Sequence, residues 1–224
     1  TGSPIRYNPG GIAGIYAKQN NRESLFSAMR SRETFGTSGP YIEPRFFAGW
    51  NLPKDICRTN SFLKRSYAGG VPMGSIIKNI EGKTSSPVFV ASAVRDPSED
   101  STPLQKLQII KGWIDEQGNA HQRIFDVAGG GMNATVDRTN CSQSGTGYNQ
   151  LCTTWTDPDF SPDVSGVYYL RVLENPSCRW SQFDCLALDP KTRPKTCSDP
   201  SIPSIIQERA WTSPIWYYSK TEEE

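Results

Sequence analysis

Short runs in which apolar and polar positions alternate fill most of the chain after residue 40. Such runs, rich in β-branched and aromatic residues and bounded by Gly, Pro and Asp, mark strands. Residues 41–47, 75–80, 88–94, 107–114, 123–127, 205–210 and 215–218 read this way, and 167–174 carries the strongest signal. The segment 115–119, Asp-Glu-Gln-Gly-Asn, reads as the turn of a hairpin between its flanking strands. Residues 51–70 show little periodicity and read as a long loop. Ahead of them, residues 10–17 read as a short buried strand. A 3.6-residue spacing of Leu25, Phe26 and Met29 then predicts one helix. Asn20 or Asn21 can cap it, Glu23 sits in its first turn, and Arg30 and Arg32 fall towards its end, all on the favourable sides of the helix dipole. Residues 34–40 end that pattern. Many short strands with turn chemistry between them predict a mainly β fold, an antiparallel β-sandwich over 41–224. The strand and helix within 1–40 do not bury both their faces alone and read as a remnant of a neighbouring unit.

Composition narrows the function classes. The 224 residues carry 24 Lys and Arg against 23 Asp and Glu, a formal net charge of +1. That balance lacks the basic excess of a dedicated nucleic-acid binder. Mean hydropathy is −0.55, and no run approaches the ~20 apolar residues that span a bilayer. The single His121 excludes a multi-histidine metal centre built by this chain alone. No secretion signal is visible in residues 1–9, and the acidic tail Glu222–Glu224 reads as a solvated end.

The six cysteines, at 57, 141, 152, 178, 185 and 197, contain no CxxC pair. An even count on turn-rich segments favours disulfides and a periplasmic or secreted location, with reduced structural thiols as the alternative. Cys141 with Cys152 is the preferred local pair, because Ser144, Gly145, Thr146 and Gly147 read as a hairpin tip. Cys178 with Cys185 is a second candidate.

Most motif matches reduce to loops. Gly129–Gly131 lacks the strand, helix start and Lys of a phosphate loop, and residues 82–84 lack the earlier Gly. A Ser-His-Asp site would have to use His121, which sits beside a polar turn and reads as solvent-facing. Asp157, Asp159 and Asp163 alternate as in a calcium loop, but Pro162 stands where the turn needs Gly. An Asp-Pro turn capping its own backbone is the competing reading. Arg171, Arg179, Trp180, Arg209, Trp211 and Trp216 cluster late in the chain. Arginine forks bind phosphate or sulfate and Trp can wall a pocket. Alternatively, the Trp side chains are core and the arginines pair with Glu174 and Glu208.

Three stretches resemble one family. They are residues 8–40, beginning Asn-Pro-Gly-Gly-Ile-Ala-Gly-Ile-Tyr-Ala; residues 108–113, Gln-Ile-Ile-Lys-Gly-Trp; and residues 155–160 with 168–174 and 207–217, the last reading Gln-Glu-Arg-Ala-Trp-Thr-Ser-Pro-Ile-Trp-Tyr. Together they look like the C-terminal portion of a bacterial family of large proteins of unknown function with a PHP-like metal-dependent hydrolase domain. The resemblance implies a distorted β/α barrel upstream, its last strand and helix in residues 1–40, and a divalent metal (Zn, Mn or Fe) held there. The family's metal-binding motifs have no matching positions here. It implies an anionic phosphate- or sulfate-ester substrate, for which Arg179, Trp180, Glu208 and Arg209 are the candidate contacts. The rival expectation is a non-catalytic module that binds a glycan or anionic polymer, or that only stabilises the barrel.

Overall fold

A computed structural model describes residues 4–7, 10–99, 101–131 and 133–219. The tail Glu222–Glu224 lies outside the described residues. A 3-10 turn at Pro4–Arg6 precedes β1 (Ile12–Ile15), α1 (Arg22–Arg30), β2 (Thr34–Thr37) and β3 (Glu43–Gly49). A second 3-10 turn at Ile56–Arg58 leads to α2 (Phe62–Gly69), β4 (Val71–Pro72), β5 (Ile76–Lys78), β6 (Val88–Val94) and β7 (Leu104–Ile114). Then come β8 (Ala120–Gly129), β9 (Thr135–Val136), β10 (Gln143–Ser144), β11 (Gln150–Thr156), β12 (Gly166–Glu174), β13 (Ser177–Cys178) and α3 (Trp180–Ala187). A 3-10 turn at Lys195–Ser198, β14 (Ile205–Ile206), β15 (Arg209–Thr212) and β16 (Ile215–Tyr218) follow.

The fold is mainly β, built on antiparallel sheets. β12 is the spine of an eight-stranded sheet, with β7 along one edge and β8 beyond it. β15 and β16 share the other edge, and β5 joins β16 in parallel. A four-stranded sheet runs β11-β6-β3-β4. The two sheets share one core. β12 contributes Tyr168, Leu170 and Val172; β7 contributes Leu107 and Ile109; β6 contributes Phe89, Ala91 and Ala93; and β3 contributes Phe46 and Ala48. Those residues recur at every second position, as the pleat requires.

Within residues 1–40, expected to carry the last strand and helix of a preceding barrel, β1 and β2 lie at the edge of the larger sheet. β2 pairs with β15 and β1 pairs with β2, both antiparallel. The glycine at 14 has a packing reason. A Cβ there would stand 2.0 Å from the Phe35 ring, which lies over it from the paired strand. β1 is only half-buried rather than buried. Helix α1 forms as expected, with the Asn21 side chain accepting from Ser24 N–H at 2.8 Å. Its apolar face is a correction: Ala28 is the buried residue, while Phe26 and Met29 are 60% and 49% exposed. Arg32 lies beyond the helix at φ 58, donates from Nε to Gly74 O at 2.9 Å and covers the Trp216 ring.

The supposed loop 51–70 contains α2. Phe62 and Tyr67 of this helix meet Phe47 edge-on, and Leu52, Ile56 and Val90 complete a second core on the far face of the smaller sheet. Contacts made only in the folded protein override the weak local pattern. α3, a second helix unseen in the sequence pattern, has no side-chain cap at Arg179.

All six cysteines are bonded, as Cys57–Cys152, Cys141–Cys178 and Cys185–Cys197. Both local pairings expected from sequence are corrected. The chain after Cys141 does not turn straight back: β10 pairs with β9, Tyr148 bridges to Leu104, and Cys152 then lies in β11 opposite Ser92. α3 carries Cys185 to the 3-10 turn that holds Cys197. Three disulfides fit an oxidising, extracytoplasmic compartment. Among the described residues no helix is long and apolar enough to cross a membrane.

Candidate functional site

The inward rows of β12 and of the β15 strand end in acids. Tyr168, Leu170 and Val172 are followed at the same parity by Glu174, and Ala210 is preceded by Glu208. The backbones meet there, Glu174 N–H donating to Glu208 O at 3.0 Å. That places the two carboxyls side by side on the core side of the sheet, a destabilising position for two like charges. They line a cavity of about 280 Å³ with Asp96, which follows β6. Thr102, Ser177 and Phe183 also line it.

The three acids are not equivalent. Asp96 accepts from Tyr41 N–H at 2.7 Å and from Ser98 N–H at 2.8 Å, and its second partner at Ser98 is the hydroxyl. Burial opposes its charge, but these bonds prevail and hold its carboxyl below the ordinary range. Glu208 accepts from the Ser38 hydroxyl. Glu174 is 1% exposed, and its Oε1 is buried with no hydrogen-bond partner. Burial first, then the negative charges of Glu208 and Asp96, push its carboxyl up to about 8, against a smaller pull from Arg95. At neutral pH it keeps its proton.

The sequence candidates fall in different places. Arg179 is 4% exposed, and its guanidinium donates to Ile5 O at 2.6 Å, Tyr7 O at 2.7 Å and Ser181 Oγ at 2.7 Å. Trp180 Nε1 reaches the same Tyr7 carbonyl at 3.2 Å. These two residues fasten the segment at 5–7 to α3. Glu208 lies in the acidic cavity, and Arg209, at opposite parity, donates from Nε to Gln207 O. The four do not share one cavity, and Glu208 sits among carboxyls that repel an anion. The expected pairing of arginines with Glu174 and Glu208 is not among the ion pairs of the described residues. Instead Arg171 Nε donates to Gln108, whose amide bonds Asp126. Glu174 itself was legible: its parity with Tyr168, Leu170 and Val172 marks it as an inward acid.

At the other end of the core, the Asp157 turn is capped as expected, Asp159 N–H donating to Asp157 Oδ1 at 2.9 Å. A cation is already built in. Lys111 Nζ lies 2.6 Å from Asp157 Oδ2 and 2.8 Å from Asp159 O, and Tyr168 donates to the same Oδ2. The Lys111 ammonium thus takes one oxygen of Asp157 and one of Asp159. The His121 ring pairs with Asp115 at 2.7 Å and stacks on Trp113, beside a cavity of about 720 Å³ at the sheet edge. Polar groups of that lining also bond one another, Ser165 to Ser219 among them.

Among the described residues no three His, Cys, Asp or Glu side chains converge to hold a metal ion. The donor chemistry agrees: Asp96 is taken by N–H groups and Asp157 by Lys111. Asp96 and Asp157 are thus engaged by the chain's own donors, and the divalent metal that the resemblance implies belongs, in that reading, to the upstream barrel.

A family model described as "Protein of unknown function (DUF3604)" matches residues 1–219. The chain belongs to that family. No curated protein matches it.

Proposed function

We propose that this chain is the non-catalytic β part of a periplasmic or secreted metal-dependent hydrolase of phosphate or sulfate esters, and that it holds a PHP-like barrel preceding it in the whole protein. The metal and the reacting groups belong to that barrel in this reading. The observation that carries it is the outward face of α1. Phe26 and Met29 are 60% and 49% exposed on a capped helix that the β domain engages through Ala28. Because about half of each side chain is already covered, burying the rest contributes about 1–1.5 kcal/mol each. The anchoring of Ile5 and Tyr7 by Arg179 gives the arriving chain a fixed path. The test compares the chain with a longer protein that includes its upstream region, on aryl phosphate and aryl sulfate with Mn²⁺ or Zn²⁺. The longer protein turns over one ester and the chain alone neither. Phe26→Lys with Met29→Lys lowers the activity of the longer protein at least several-fold and leaves the melting of the chain alone nearly unchanged. Full activity of the isolated chain sinks the proposal, as does a longer protein indifferent to both substitutions.

A second reading, a glycan- or anionic-polymer-binding module, is favoured by one surface. Trp211, 36% exposed, lies directly opposite Arg171 on the outer face of the larger sheet. Sulfated oligosaccharide then shifts Trp fluorescence saturably, and Trp211→Ala abolishes the shift. An unchanged spectrum with both sulfated and neutral sugars leaves only the structural role.

A further inference from the structure

The cavity between Asp96, Glu174 and Glu208 has in its wall a residue whose buried carboxyl oxygen lacks a hydrogen-bond partner. Glu174 Oε1 is sealed from water and accepts no hydrogen bond, and leaving such an acceptor unmade is costly. A donor arriving from outside relieves that cost once the Glu174 carboxyl turns towards the cavity that the residue lines. Three features define that donor.

The first is charge. Glu174 at the end of β12 and Glu208 just before β15 line one cavity, and Asp96 adds a third carboxyl at its wall. The second is coordination. Asp96 already accepts three hydrogen bonds, from Tyr41 N–H, Ser98 N–H and the Ser98 hydroxyl, and three carboxyls are in any case too few for the six to eight oxygens a calcium ion takes. An ammonium group carries three donors. Glu174, Glu208 and one neutral oxygen, from Ser177 or Thr102, answer all three. The third is shape. The volume, about 280 Å³, lies just below the range of pockets for drug-sized ligands and suits a small group. Phe183, 50% exposed, and Pro40 form its apolar wall, suited to an aliphatic stem and to a cation near an aromatic face.

We propose that this cavity binds a compact primary ammonium group, held between Glu174 and Glu208 with its carbon stem against Phe183. The source is either a small free amine or a lysine side chain of a partner; the recognition chemistry is the same. Binding exchanges charge for charge. The proton that Glu174 holds leaves to solvent as the ammonium enters, and the amine keeps its own three protons. The charged groups facing Glu174 are Glu208 before β15, Asp96 after β6 and Arg95 beside it. The lining from Thr102, Gln143 and Ser177 brings no charge.

The test is a calorimetric titration of the chain with n-butylammonium chloride, with 1-butanol as the neutral shape control. Nα-acetyl-lysine amide is the second arm. n-Butylammonium binds saturably in the millimolar range and butanol does not. With the Glu174 carboxyl pushed up to about 8, the dissociation constant falls about tenfold from pH 6 to pH 7 and levels off near pH 9. About one proton is released per amine at pH 6–7, measured in two buffers of different ionisation enthalpy. Glu174→Gln and Glu208→Gln each weaken binding at least tenfold at pH 9. A tighter lysine derivative assigns the cavity to a partner side chain, and a tighter butylammonium to a free amine. Absence of saturation, equal binding of butanol, a dissociation constant flat with pH, or binding that survives both variants overturns the proposal. Because these readouts use the chain alone, they stand or fall apart from the hydrolase reading.

Discussion

Replacing Cys57 and Cys152 together by alanine lowers the unfolding free energy by about 4–5 kcal/mol, the largest loss expected from any one bridge in the chain. The two residues are 95 apart in sequence, and the loop that a bridge closes sets the entropy it removes from the unfolded chain. The Cys141–Cys178 bridge opens no shorter path between them, because one of its ends lies inside the loop and the other 26 residues beyond Cys152. The bridge also pins the 3-10 turn at Ile56–Arg58 to β11, and Ile56 and Leu52 close the second core there. At roughly 2–4 °C per kcal/mol for a chain of this size, the midpoint falls by about 10–15 °C. The internal control is Cys185→Ala with Cys197→Ala. That loop spans 12 residues, and the logarithmic dependence on length makes its loss about 2 kcal/mol smaller. Urea unfolding of the oxidised proteins at pH 7 measures both. Equal losses for the long and the short bridge contradict loop entropy as the source.

That pairing also shows where sequence reading stops. β6, β7, β12 and the turn at 115–119 were legible because alternation along a strand is local information, and each has a buried face. α2 and α3 were not. Each is eight residues long and has no side-chain cap, and a helix that short is held by its surroundings rather than by its own propensity. For α2 the surroundings are Phe47 and the second core; for α3 they include the Cys185–Cys197 bridge. β11, Gln-Leu-Cys-Thr-Thr-Trp-Thr, is too polar to stand out, yet it pairs with β6 along its whole length. Disulfide partners depend on which strands meet, and no spacing between cysteines contains that.

The candidate site divides in the same way. Arginines were chosen for chemistry, and a buried guanidinium can as well serve the chain itself. Arg179 does so, spending its donors on the carbonyls of Ile5 and Tyr7. Residue type alone does not separate the two uses; burial does. Parity is the stronger local signal. It placed Tyr168, Leu170 and Val172 inward, and followed two residues further it leads to Glu174, an acid in a row of hydrophobes. An inward acid at the end of a core strand is a conflict between local chemistry and fold, and such conflicts concentrate at functional sites.

That conflict has a thermodynamic signature, and Glu174→Gln reads it. The folded protein holds the Glu174 proton up to a pH of about 8 against an ordinary value of 4.5. Below the ordinary value both folded and unfolded chains are protonated at this site, and the wild type and the variant are equally stable. As pH rises between the two values the unfolded chain releases the proton while the folded chain keeps it. The folded state then binds more protons, so stability falls with rising pH, by up to about 1.4 kcal/mol per unit. Above the raised value both states are ionised, and the loss stops growing. Glutamine has the shape of the protonated acid and never ionises, so the variant escapes this loss. The expected difference is near zero at pH 4.5 and on the order of 3–5 kcal/mol in favour of Glu174→Gln at pH 9, about 10 °C in the midpoint. Urea unfolding of both proteins at pH 4.5, 6, 7.5 and 9 gives the curve, and the other titrating groups cancel in the difference. Glu208→Gln moves the wild-type curve the same way by less, because it removes a neighbouring charge and leaves the burial that is the larger cause. A difference independent of pH would mean that Glu174 titrates normally and that water or a donor reaches its Oε1. A carboxyl that weakens the fold across neutral pH is a structural liability unless something binds it, and the size of that liability is the free energy that a cationic ligand has available to relieve.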